Sequence, residues 1–234
     1  MLLPDLLSAS PMFPVFPLLI IVAFLGGVIL LAELLNRVII SDTELTRKVV
    51  HIGAGNVILF AWWFQIPAWI GVSAAVVAGM IALVSYFFPI LPSINSVGRK
   101  SLGTFFYAVS MGVLISWFFP QNPQYAVIGI LTMAWGDGMA ALIGQNFGRH
   151  PYKILGSSKS WEGSLAMATM SYLICCLILV GVEGNLWQSW LIPFLVAAIA
   201  TSCEAISKLG VDNLTVPLAS GGLSFLLVQL FCYP

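Results

Sequence analysis

Charge is scarce in this chain. Only 8% of its 234 residues are Asp, Glu, Lys or Arg, and nine basic side chains face nine acidic ones. With zero net charge and no long basic tract, there is no electrostatic footprint for a nucleic acid. Cysteine is scarce too: Cys175, Cys176, Cys203 and Cys232 fall in apolar runs without CxxC spacing. They read as small hydrophobes, and neither a disulfide framework nor a zinc site is indicated. The first thirteen residues hold Pro4 and Pro11 but no basic stretch, which argues against a cleaved signal peptide or an Arg-rich transit peptide. Long polar connections are missing as well. The longest, Gly148 to Ser160, is thirteen residues, so no separate soluble domain is expected.

What fills the chain instead is apolar: 60% of residues are hydrophobic, in runs too long for the core helices of a soluble domain. The expected fold is all-α, a polytopic transmembrane helical bundle of about eight spans, with seven as the alternative. The spans fall near 15–36, 49–64, 67–88, 102–119, 124–147, 161–182, 188–209 and 215–232, after an N-terminal tail at 1–14. Residues 15–234 then form a single membrane-embedded domain. The second span is short, covering only ~24 Å as a helix. Arg37, Arg47, Lys48, Arg99, Lys100, Arg149, Lys153, Lys159 and Lys208 all lie in alternate connections or at their edges. Those connections are expected on the cytoplasmic side, and both termini on the other.

Five of the few charges concentrate between Trp135 and Ser164: Asp137, Arg149, Lys153, Lys159 and Glu162. A carboxylate inside a lipid-embedded span is expensive, so Asp137 needs a partner, a cation or a chemical task. Asp137, Ala141, Gly144 and Gly148 recur at helical spacing. Small residues in such a stripe serve helix packing or the approach of a ligand, and the flanking Gly136 and Gly138 loosen the helix around the acid. The following segment offers Lys153, Gly156, Ser157, Ser158, Lys159, Ser160 and Gly163 at the start of the sixth span. Lysines, hydroxyls and backbone amides at a helix N-terminus suit phosphate. The same residues also fit an ordinary positive-inside loop in which Ser160 caps the helix and Glu162 favours its first turn. The P-loop spacing is absent.

Three further clusters reach the same side. Lys48 and His51, with Gly53 and Gly55, open the second span. Glu204 and Lys208 stand four apart near the end of the seventh, as a helical pair able to neutralise itself. Asp212-Asn213 precedes Pro217 as a turn and helix-start signal.

Four stretches, RKVVHIGAG at 47–55, WGDGMAALIGQNFG at 135–148, PYKILGSSKSWEGS at 151–164 and Glu204 through DNLTVPL at 212–218, resemble the membrane polyprenol kinases, the family of the phytol, farnesol and dolichol kinases. The resemblance runs from the second span to the last. It implies a lipid kinase that uses CTP or UTP with Mg²⁺ to convert phytol or a related prenyl alcohol to its monophosphate. It also implies a place in chlorophyll salvage and tocopherol supply, in a cyanobacterial plasma or thylakoid membrane or in a plastid. Its partners are then the lipid membrane, the prenyl alcohol and a nucleotide triphosphate. On this resemblance Lys153 to Gly163 is the nucleotide-binding loop, and Asp137 the carboxylate linked to the metal. Phosphoryl transfer needs in-line positioning and charge neutralisation above all. That suits Mg²⁺ on Asp137 with Glu162 or Asp212 as second ligand or base, and phosphates on Lys153 and Lys159. His51 or Glu204 would lie near the hydroxyl, with Lys48 and Asn213 contacting substrate. The bulky Trp62, Trp63, Phe105 and Phe106 are candidate walls for the isoprenoid. A CDP-lipid synthase would share nucleotide and metal but release pyrophosphate; its aspartate- and glycine-rich closing motif is absent. A secondary transporter would show paired repeats, and none is evident.

Overall fold

In lipid every backbone amide must be satisfied within its own segment, so long apolar runs become helices. The computed structural model describes residues 14–38, 43–87 and 102–233. Among these the elements are α1 (Val15–Val38), α2 (Thr43–Trp63), α3 (Ala68–Phe87) and α4 (Gly103–Phe118). A single rod follows, formed by α5 (Pro123–Leu131), a π-helical stretch (Thr132–Asp137) and α6 (Gly138–Phe147). A hairpin of β1 (Pro151–Ile154) and β2 (Ser157–Ser160) then leads into α7 (Trp161–Glu183), α8 (Gln188–Ile206) and α9 (Asp212–Cys232). Six of these rods are long and apolar enough to cross a membrane, and α4 is a shorter apolar one. The chain is therefore an all-α polytopic membrane bundle, as the composition indicates. The connection at 89–100, with Arg99 and Lys100, lies outside the described residues.

Three boundaries differ by three residues or more from those read in the sequence: the starts of α2 and α9, and the end of α8, which stops at Ile206 rather than at 209. Helix α2 begins at Thr43, six residues early, and its twenty-one residues span ~31 Å. Its first turns carry Glu44, Arg47 and Lys48, too polar for a hydropathy signal, yet Lys48 is buried because it meets a carboxylate. Helix α9 begins at Asp212, three residues early.

The α5–π–α6 rod is the axis of the bundle. Gln124 to Leu131 is buried without a break, against α9 on one side and α2 and α7 on others. Tyr125 packs between Phe118 and Phe225, with ring centroids 5.6 and 5.3 Å away, within the cluster that includes Leu114, Ile128 and Leu179. By contrast α1 turns Phe16, Leu19, Val22 and Leu30 outward, as a lipid-facing helix does. The rod and α9 touch backbone to backbone. A Cβ on Gly129 would lie 2.5 Å from the Pro217 carbonyl, and one on Gly221 would lie 2.7 Å from the Tyr125 carbonyl. A side chain there must push two helices apart, and overpacking typically costs ~1–3 kcal/mol. Gly129→Val should therefore lower the thermal midpoint in detergent by roughly 5 °C, read by a tryptophan-fluorescence melt.

Sidedness follows from the alternation of the rods. Single cysteines at Ser158 and Gln121, in a background without the four native ones, should label from opposite faces with a membrane-impermeant thiol reagent. Labelling from one face would remove the eight-rod topology.

Candidate active site

The axial rod loosens where Asp137 sits. From Thr132 to Asp137 the hydrogen bonds widen to the π pattern, an insertion that recurs at functional sites because it re-aims a side chain. Two glycines make the crowding there possible. A Cβ on Gly136 would stand 2.6 Å from the Met167 sulfur of α7, and one on Gly138 would stand 2.7 Å from Ile52 of α2. The acid is thus wedged between α2 and α7, and it is only 8% exposed.

Its partner comes from α2. The Lys48 ammonium donates to Asp137 Oδ2 and lies 3.5 Å from the Asp137 carbonyl; the lysine itself is 5% exposed. His51, one turn along, places Nε2 3.8 Å from the same carboxylate oxygen, and that nitrogen is buried without a hydrogen bond. Its ring lies against Tyr107 of α4, with centroids 4.3 Å apart, and the Tyr107 hydroxyl points to the His51 carbonyl at 3.5 Å. Gly55 admits this arrangement, since a Cβ there would meet the Tyr107 hydroxyl at 2.6 Å. On the next turn Asn56 accepts from Trp135 Nε1 at 3.1 Å, which ties α2 to the π stretch.

The hairpin brings a second ion pair. Pairing is antiparallel, with Tyr152 opposite Lys159 and Lys153 opposite Ser158, so alternation sends these two pairs to opposite faces. Lys159 is on the inner face and pairs with Glu204 of α8, which is 4% exposed. Burial opposes the Lys159 charge, but the Glu204 carboxylate outweighs it and holds the ammonium's pKa above the usual lysine range. Lys159 and Glu204 both act electrostatically on Asp137. Asp212, at the head of α9, does so with Asp137, Lys159 and Lys48. Asp212 Oδ1 accepts from the amide of its neighbour Asn213 at 3.1 Å, and the Asn213 side chain also reaches the Gly210 carbonyl at 3.3 Å.

Lys48, His51, Asp137, Lys159, Glu204 and Asp212 thus converge at the hairpin end of the bundle. Other expected residues do different things. Glu162 is engaged outward by His150, whose Nδ1 lies 2.6 Å from Oε1. Ser160 caps α7 by accepting from the Gly163 amide at 3.1 Å. Gly163 in turn packs on α6, where a Cβ would stand 2.9 Å from the Ala140 carbonyl and 3.3 Å from Gly144 Cα. Of the small-residue stripe, Gly144 therefore serves a helix crossing, together with the neighbouring Ala140. Ser157 donates to the Ser207 carbonyl at 3.2 Å, fastening the hairpin to the end of α8. Lys153 and Ser158 are exposed on the outer face of the hairpin. Glu204 and Lys208 are not partners: Lys208 instead lies over Gly156, its Nζ 3.0 Å from where a Cβ would be. Trp62 and Trp63 end α2, about 20 Å of helix rise from Lys48, and Trp63 is exposed. Phe105 and Phe106, 5.8 Å apart, precede Tyr107 at the site's end of α4. Tyr107, Asn56 and Trp135 are additions that the sequence reading did not single out.

Over 198 residues, 84% of this chain and 85% of the relative, the sequence is 52% identical to a phytol kinase of Synechocystis sp.. The chain belongs to the phytol kinase family. It is 28% identical to phytol kinase 1, chloroplastic, of Arabidopsis thaliana over 229 residues, covering 85% of this chain and 72% of that one. Identity to the chloroplastic farnesol kinase of the same plant is 27% over 212 residues, 80% of this chain and 67% of that one. No family model matches the chain, and no solved structure matches it. For a phytol kinase family member, the arrangement concentrates its buried charge at one end of an apolar bundle. An aqueous phosphate donor and a lipid alcohol can meet only at such a boundary.

Proposed function

We propose that this member of the phytol kinase family transfers the terminal phosphoryl group of CTP or UTP to the hydroxyl of phytol or a closely related prenyl alcohol, at the cytoplasmic membrane face. The observation that carries the reading is the buried Lys48–Asp137 pair together with the half-buried Lys159–Glu204 pair, in which the hairpin lysine meets a buried carboxylate of α8. A bundle without chemistry has no need to bury Lys48, Asp137 and Glu204 at one end with Lys159 half-buried beside them, because each ion loses hydration that its partner only partly restores.

Lys159 on the inner face of the hairpin meets the phosphates, exchanging its carboxylate partner for phosphate oxygens. Lys48 holds Asp137 in place from the opposite side. Glu204, freed of Lys159 as phosphate takes the ammonium, faces the alcohol and accepts its proton; the unpartnered His51 Nε2 is the second group near that hydroxyl. Mg²⁺ generally takes one or two protein carboxylates and completes its octahedron with water and phosphate oxygens. Among the described residues no three His, Cys, Asp or Glu side chains form a self-sufficient metal cage. That donor set fits a metal that arrives with the nucleotide, and Asp137 and Asp212 would hold it. Bound there, Mg²⁺ would offset the charge that accumulates on the phosphate oxygens. Met167 packs at Gly136, Ile52 at Gly138 and Tyr107 on His51, so the turn that carries Asp137 is crowded by side chains that leave little room for water.

The test is product analysis with purified protein in lipid nanodiscs, phytol, and CTP carrying label in its terminal phosphate. Labelled phytyl monophosphate with CDP is expected. Release of pyrophosphate, with cytidylate left on the lipid, would replace the kinase by a cytidylyltransferase.

A further inference from the structure

A groove of about 450 Å³, within the ~300–1,000 Å³ typical of small-molecule sites, lies where the tip of the hairpin that carries Lys159 meets the end of α8, the helix that carries Glu204. Its apolar lining comes from Leu155 at the hairpin tip, Cys203 and Ile206 of α8, and Leu209 and Val211 of the connection to α9. Lys208 is its one charged residue.

The polar atoms around it are almost all spent. The Ser207 hydroxyl donates to the Cys203 carbonyl at 2.6 Å, and its carbonyl accepts from Ser157. The Thr215 hydroxyl donates to the Val211 carbonyl at 3.2 Å. A nucleobase would find no ring to stack on and no free donor or acceptor set for its edge. An amphiphile with an apolar tail fits the lining.

The two leucines strengthen the point. Leu155 has φ 47° and Leu209 has φ 56°, and each precedes a glycine in the same left-handed region, Gly156 at 82° and Gly210 at 86°. Leu155-Gly156 joins Ile154 to Ser157 as a two-residue hairpin turn, where asparagine or glycine is the ordinary choice at the first position. Leucine pays conformationally for that backbone, and both side chains are mostly uncovered, at 67% and 75% exposure. Neither backbone preference nor water favours leucine at these two places. A contact with something apolar does.

We infer that Leu155 and Leu209 form a clasp over the prenyl chain of the alcohol substrate, with the groove holding the chain segment next to the reacting hydroxyl. This rests on the kinase reading above. Continuity with the site supports the occupant: Leu155 is on the hairpin that carries Lys159, Cys203 directly precedes Glu204 on α8, and the Ser157 hydroxyl donates to the Ser207 carbonyl where hairpin and helix end meet. A chain lying in the groove therefore ends beside the Lys159–Glu204 pair. Lys208, with no ion-pair partner among the described residues, also lines the groove.

The experiment uses Leu155→Asn and Leu209→Asn, singly and together, because asparagine accepts the left-handed backbone while removing the apolar contact. The thermal midpoint should stay level or rise. The KM for phytol should rise about tenfold for each variant, as expected from losing a buried leucine contact, with the nucleotide KM unchanged. A short alcohol, 3-methylbut-2-en-1-ol, fills only part of the groove, so its KM should rise less in the variants than that of phytol. A diazirine-bearing phytol analogue, without nucleotide, should label residues 203–211 of the wild type. An unchanged phytol KM in both variants, or labelling elsewhere only, overturns the clasp and assigns the leucines to anchoring in the bilayer. If the wild type phosphorylates no prenyl alcohol while the analogue still labels 203–211, the kinase reading fails and the groove stands as a prenyl-binding site.

Discussion

Asp137→Asn is expected to lower kcat by about 10²-fold or more, the usual scale for removing a charge that stabilises a transition state. It should also destabilise the protein, although the change is nearly isosteric. Asp137 is the partner of Lys48, and both are buried; removing one member of a buried pair strands the other at a typical ~3–5 kcal/mol. Loss of turnover in the single variant therefore mixes two causes. The Lys48→Met, Asp137→Asn double variant separates them, because it deletes both charges and leaves no stranded ammonium. Its thermal midpoint should recover most of the loss, while its kcat stays at the level of the single variant across a magnesium titration. Recovery of turnover together with stability would make Asp137 a packing partner, and the carboxylate for the metal would then be sought in Asp212.

The sequence carried the signal for Asp137 because one physical rule isolates it: an acid inside an apolar span is anomalous wherever it falls. It carried the loosened helix as well, through Gly136 and Gly138, although the identity of their neighbours, Met167 and Ile52, was not legible. The two ion pairs were out of reach. Lys48 and Asp137 are 89 residues apart and Lys159 and Glu204 are 45 apart, so no local period connects them. A local rule instead suggested Glu204 with Lys208, whose spacing works only on a continuing helix. That helix stops first: Ser207 is extended, with ψ 148°, and carries Lys208 off the α8 surface. The hairpin was also hidden. Its strands are four residues each and rich in Ser and Lys, so they resemble a solvated loop, and only the register reveals that Lys159 faces inward while Lys153 does not. For α2 the apolar count fixed the span but missed the polar first turns, which become helical because Lys48 is neutralised.

Lys159 and Glu204 should respond in opposite ways when each is neutralised. Lys159→Ala removes a phosphate contact that persists from the bound nucleotide to the transition state, so the apparent KM for nucleotide should rise by about tenfold with a smaller change in kcat. Glu204→Gln removes the proton acceptor, which general-base catalysis values at roughly 10²–10⁴-fold, so kcat should fall by about 10²-fold. The same change releases Lys159 from its carboxylate, and the nucleotide KM should then hold or decrease. Titration of Lys159 does not confuse the comparison. Its folded pKa lies above the unfolded lysine value, so the stability it gains from Glu204 is fully present below ~10.4 and is lost only as pH rises through the folded value. Between pH 6 and pH 9, roughly, the ammonium is charged in both folded and unfolded chains. Steady-state kinetics of the two variants at varied CTP and fixed phytol would check this. If Glu204→Gln keeps full kcat and only tightens nucleotide binding, Glu204 is the counter-ion of Lys159 alone, and the proton must pass to His51, whose buried Nε2 has no hydrogen-bond partner among the described residues and lies 3.8 Å from Asp137 Oδ2.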